Sequence, residues 1–158
     1  VKDELVVYVD RLVGGKVEDV SCTIDPSFID VQENDCQFLN PVAINGSFYL
    51  TNDHLIGNLK VKTFLTMPCS ICDEKFPFPI SIEDYYITEP LENIPSGLYY
   101  PHDGIREAIL IEAPSFCECN DGNCPNRLAI ASYMRPSKEE LKDQKKEAKS
   151  YLPFKDLE

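Results

Sequence analysis

An α+β fold, in which an antiparallel β-sheet carries a buried helix, is what this sequence predicts, and three observations predict it. Two apolar runs, Val42-Ile44-Phe48-Leu50 and Leu55-Leu59-Val61-Leu65, alternate on either side of Thr51-Asn52-Asp53. A third run, Phe76-Phe78-Ile80-Ile82, alternates as cleanly after a short cysteine-bearing break. One stretch, Ile105, Ala108 and Ile109, has helical spacing between Asp103 and Pro114. A period of two puts one face of a strand on a core, and a period near 3.6 does the same for one stripe of a helix.

Leu5-Val6-Val7-Tyr8-Val9 is rich in β-formers and reads as a first strand, stopped by Gly14-Gly15. Residues 25 to 40 carry acids, Asn and a lone Cys36, and read as irregular. The runs at 42–50 and 55–65 form a hairpin, because Asn and Asp between them are turn formers. In the third run Tyr86 continues the parity of Phe76. Pro77 and Pro79 lie on the opposite parity and cannot donate to a ladder, which places this strand at an edge. Residues 88–102, with Pro90, Pro95, Gly97 and Pro101, read as a surface loop.

Asp103 is positioned to cap a helix over 104–113, with Leu110 and Ile111 widening its apolar face enough to bury most of it. Pro114 ends that helix. Arg127–Met134 is a short apolar stretch of undefined type. Ser137 and Glu140 then form a capping box for a charged helix to about 150, followed by the apolar end Tyr151-Leu152-Pro153-Phe154. The 158 residues, 43% hydrophobic, thus divide into one α+β domain over 1–136 and a helical C-terminal tail over 137–158.

The formal net charge is −12, from 27 acidic and 15 basic residues. Such a chain is poorly suited to broad phosphate binding, which draws on Lys and Arg displacing counterions. It leaves room for a local basic patch, and a basic protein partner would be attracted. Val1–Val13 is interrupted by Lys2, Asp3, Glu4, Asp10 and Arg11, so no signal peptide is expected, and no run is long enough to span a membrane. A soluble cytoplasmic protein is the expectation.

Seven cysteines are many for such a chain, and five of them fall in two short clusters. Cys69-x-x-Cys72 at the end of a strand offers two thiolates at a spacing that can reach one metal ion with tetrahedral angles. The second pair would come from Cys117, Cys119 and Cys124. Cys119 and Cys124, with Asp121-Gly122 as the turn between them, is the preferred choice, and Cys117 with Cys119 is the competing one. A closed site of Cys69, Cys72, Cys119 and Cys124 would be a structural zinc knuckle at the junction of sheet and helix. It would be worth roughly 10 kcal/mol or more of folding free energy. Buried free thiols and a redox Cys69/Cys72 pair are the alternatives. Against redox, no helix N-terminus follows Cys69, and Asp73 and Glu74 would raise thiol pKa values. Cys22 and Cys36 read as small buried hydrophobes. His54 and His102 read as ordinary surface or loop residues. No phosphate-binding glycine loop, serine nucleophile elbow or paired catalytic acids stand out, so no enzyme is expected.

Three blocks resemble the bacterial YceD family, the large ribosomal RNA subunit accumulation proteins. Residues 67–76, Met-Pro-Cys-Ser-Ile-Cys-Asp-Glu-Lys-Phe, are similar to the family's strand-terminal Cys-x-x-Cys, with Ile71 where Arg is common. Residues 103–114 are similar to its helix ending in proline, and residues 119–125 to the Cys/Gly/Cys-Pro segment that follows. The closing Leu152–Leu157 is also similar. Arg127 stands near a place where many members carry a further Cys, which favours one shared metal site over two. The resemblance also supports Cys119 and Cys124 over Cys117. It implies a non-enzymatic role in accumulation of 23S ribosomal RNA and large-subunit biogenesis, with a ribosomal protein or a 23S rRNA precursor as partner. A zinc-stabilised adaptor unrelated to ribosomes is the other non-catalytic reading.

Overall fold

In the computed structural model, residues 4–133 are described. The chain up to Cys124 is one compact unit, and the described residues beyond it, Pro125–Tyr133, belong to a second. The expected helix at 137–150 and its apolar end lie outside the described residues.

The first unit is α+β. Strands β2 (Val17–Ile24), β3 (Val42–Thr51), β4 (His54–Pro68) and β5 (Lys75–Pro90) form an antiparallel sheet in the order β2-β3-β4-β5. Two short strands, β1 (Val7–Tyr8) and β6 (Leu98–Tyr99), pair with each other. Helix α1 (His102–Glu112) follows and packs on β5.

The β3–β4 hairpin is as its alternation predicts. Val42, Ile44, Phe48, Leu55, Leu59, Val61 and Leu65 are all buried, and Asn52 turns the chain at positive φ. Together with Ile24, Ile80, Ile105 and Ile109 they form the core. β5 lies at the edge of the sheet, as its two prolines require. β4 approaches β3 closely at Gly46. A β-carbon there would collide with the Asn58 carbonyl and meet the Leu59 Cα at 2.8 Å, so only glycine lets β4 come this close.

Five expectations are corrected. β2 was not foreseen, because its inward positions Glu18, Val20, Cys22 and Ile24 mix polar and apolar residues and hide the alternation. The first strand keeps only Val7 and Tyr8, since a 3₁₀ turn over Val9–Leu12 follows. Straight continuation would aim Arg11 where Val7 points, whereas the turn delivers Leu12, fully buried, to the core. Residues 88–90 extend β5 opposite His54–Ile56, and 98–99 form β6, so the proposed 88–102 loop is only partly irregular. The helix begins at His102 after Pro101, which leaves Asp103 in its first turn without a capping bond. It buries Ile105 and Ile109 on one side only. Ile111 is 73% exposed, because no described residue covers its outer face.

The fifth correction is parity in β5. Leu59 pairs with Tyr85 and Val61 with Ile82, so β5 spends three steps where β4 spends two. This bulge flips the strand. Beyond it Tyr85 and Ile87 turn inward and Tyr86 is 65% exposed, the reverse of the simple alternation.

Candidate metal centre

β4 ends at Pro68, and the chain then makes a tight turn before β5 starts at Lys75. The Cys69 N–H donates to the Glu74 carbonyl at 2.9 Å and the Asp73 N–H donates to the Cys69 carbonyl at 3.0 Å, closing the turn with Asp73 at positive φ. The second cysteine segment is held against it by backbone, the Ser70 N–H donating to the Cys117 carbonyl at 2.9 Å.

After α1 and Pro114 the chain reaches Cys119–Gly122, where Asn120, Asp121 and Gly122 take φ of 55°, 52° and 85°. These are the residue types that enter the left-handed region at least cost. The turn is closed by the Asn123 N–H donating to the Asn120 carbonyl at 3.0 Å. Its effect is to reverse the chain within four residues, so that Cys124 returns beside Cys119.

The sulfurs of Cys69, Cys72, Cys119 and Cys124 all lie within 4.8 Å of one another. Cys72 and Cys119 sulfurs are 3.9 Å apart. A tetrahedral zinc with bonds of about 2.3 Å needs sulfurs about 3.8 Å apart, so this set fits a metal ion such as zinc. Cys69 and Cys124 are buried, and Cys72 and Cys119 are half-buried. Cys117 is outside the cluster and points its thiol at the Glu118 carbonyl, 3.8 Å away. Cys22 and Cys36 pack against the core elsewhere.

Backbone donors converge on the first sulfur. The N–H groups of Ile71 and Cys119 donate to the Cys69 sulfur at 3.4 and 3.3 Å. Burial pushes this thiol up, but the N–H groups of Cys119, Cys72 and Ile71 outweigh it and bring its pKa down to about 6. The expectation that Asp73 and Glu74 would raise it is thereby corrected: turn amides take the place of a helix N-terminus. The Cys72 thiol is helped by the Glu74 N–H, yet burial and the Cys69 and Cys124 thiols carry it upward. Burial and the other three thiols push Cys119 up strongly. The Cys69 thiolate forms readily while Cys72 and Cys119 resist, a conflict that a divalent cation at the centre would remove. These amide donors were not legible from the sequence, since backbone groups carry no residue-type signal.

The histidines stand apart from the cluster. His54 opens β4. His102 is more than an ordinary loop residue, since its Nε2 accepts the Leu5 N–H at 3.3 Å and its ring stands edge-on to Phe28 at 5.5 Å. Arg106 donates from Nε to the Ile29 carbonyl at 2.7 Å and so anchors α1 to the 3₁₀ turn Pro26–Ile29.

The fold and the cluster define an α+β protein with a four-thiol group able to hold one metal ion. No protein-family model matches the chain, nor does any curated protein or solved structure. No helix among the described residues is long and apolar enough to cross a membrane.

Proposed function

We propose that the chain is a non-enzymatic cytoplasmic factor in 23S ribosomal RNA accumulation and large-subunit biogenesis, held together by one structural zinc on Cys69, Cys72, Cys119 and Cys124. The observation that carries the metal half is the convergence of four sulfurs from two segments fifty residues apart. Four cysteines saturate a tetrahedral ion and leave no position for substrate, which argues for a structural role. The ribosomal half rests on the order of three sequence blocks, each similar to the YceD family. The net charge of −12 supports a basic ribosomal protein as the direct partner, with rRNA engaged alongside it.

The test is depletion of the protein in its host with 23S and 16S rRNA measured in parallel. A selective fall in 23S rRNA, restored by the intact chain, is expected. Unchanged rRNA beside a stable non-ribosomal partner would replace this reading with that of a zinc-stabilised adaptor.

A thiol-redox reading has one observation in its favour, the lowered pKa of Cys69. It requires metal-free protein and a reversible Cys69–Cys72 disulfide, which metal analysis with thiol titration would reveal.

A further inference from the structure

A groove of about 520 Å³ runs between the segment at 30–36 and the C-terminal half of α1. Past Asp35, Met67 and Ser115 it continues into a second cleft of about 350 Å³, which ends at the cysteine turn beside Asp73 and Phe116. The floor is apolar, from Leu65, Met67, Leu110 and Ala113. Phe116, at the far end, is 85% exposed.

The rim is acidic. Asp30, Glu33, Asp35 and Asp73 line the two clefts, and all four are exposed. The ion pairs Arg11–Glu18, Lys60–Glu83 and Lys62–Glu83 use no groove acid. Among the described residues Arg106 is the one cation lining either cleft, and its Nε is already committed to the Ile29 carbonyl.

We propose that this continuous groove docks a basic, extended polypeptide segment whose apolar side chains are spaced among lysines or arginines. Four carboxylates along an apolar trough attract such a segment and set its register. They repel a phosphate backbone, so nucleic acid is disfavoured here. A second copy of this chain is disfavoured too, because each copy carries −12. The inference deepens the proposed function by giving the basic partner a seat, and it relies on that reading for the partner's identity.

The experiment measures binding of a short fluorescein-labelled peptide, with leucines spaced among lysines, to the full-length protein at low salt. Two double variants are compared. Glu33→Gln with Asp35→Asn alters the groove. Asp53→Asn with Glu92→Gln removes the same charge at the opposite end of β4, where Asp53 precedes His54. Thermal melting checks that both remain folded. The groove variant is expected to bind at least about fivefold more weakly and the distal variant within about twofold of the parent. A leucine-to-serine peptide should bind at least about fivefold more weakly as well. Equal losses in both variants, no loss in the groove variant, or no binding of the peptide overturns the proposal. So does tighter binding of an oligouridine than of the peptide, or binding lost only through dimerisation. These outcomes are independent of 23S rRNA level. A groove that fails beside a normal depletion phenotype removes only the docking site, and the converse removes only the ribosomal reading.

Discussion

The backbone N–H of Cys119 donates to the sulfur of Cys69 at 3.3 Å, joining positions fifty residues apart. An amide–sulfur bond of this kind tunes a thiolate ligand from outside the coordination sphere. The two cysteine segments also meet through backbone, the Ser70 N–H and the Cys117 carbonyl supplying a second such contact.

Metal content follows from that arrangement. Protein purified under reducing conditions should carry about one zinc per chain. Serine at 69, 72, 119 or 124 should lower occupancy and drop the melting temperature by about 10 °C or more. Cys117→Ser should keep the zinc. Elemental analysis with thiol titration decides it, and a zinc-poor Cys117→Ser would mean that the ligand set is wrong.

Acid should release the ion, because each ligand must be a thiolate to bind. In the metal-free protein Cys69 sets the sign of the pH dependence. Its folded pKa of about 6 lies below the ordinary thiol value of 9.0, so its contribution to stability is full above that ordinary value and is lost as pH falls through about 6. Thiolate ultraviolet absorbance of the metal-free protein should therefore show a first step near pH 6 that is missing in Cys69→Ser.

Gly46→Ala should destabilise the fold by about 3 kcal/mol, since the added methyl meets the Asn58 carbonyl and the Leu59 Cα, backbone that cannot swing aside. Gly104→Ala should cost less, because its obstacle is the Tyr85 hydroxyl at the end of a side chain, and Tyr85→Phe should relieve it. Denaturant unfolding of the three variants would rank them, and a neutral Gly46→Ala would contradict the close approach.

The bulge makes a paired prediction. Tyr86→Ser should stay within about 0.5 kcal/mol of the parent, whereas Ile87→Ala should cost about 2–4 kcal/mol. Simple alternation through β5 predicts the opposite order, so the same unfolding measurement separates the two registers.

These variants also mark where the sequence was readable. Period-two alternation placed Val42–Leu65 correctly because both strands are central or nearly so, with one face on the core. Pro77 and Pro79 announced an edge. Tyr86 misled because a bulge adds a residue without leaving a compositional trace, and β2 escaped because Glu18 occupies an inward position. At the site, Cys-x-x-Cys spacing and the turn chemistry of Asp121-Gly122 identified all four clustered thiols. The amides that depress Cys69 and the acidic groove beside it depend on chain segments folded together from distant positions, and no local pattern encodes them.

The two borders of the main sheet are unlike. β5 carries prolines on its outermost course, whereas β2 presents eight residues without one. Runaway fibre growth requires a receptive border on both sides of every subunit. Here the Pro77–Pro79 end of β5 is blunted, so an accidental strand-to-strand encounter at that end cannot extend the ladder.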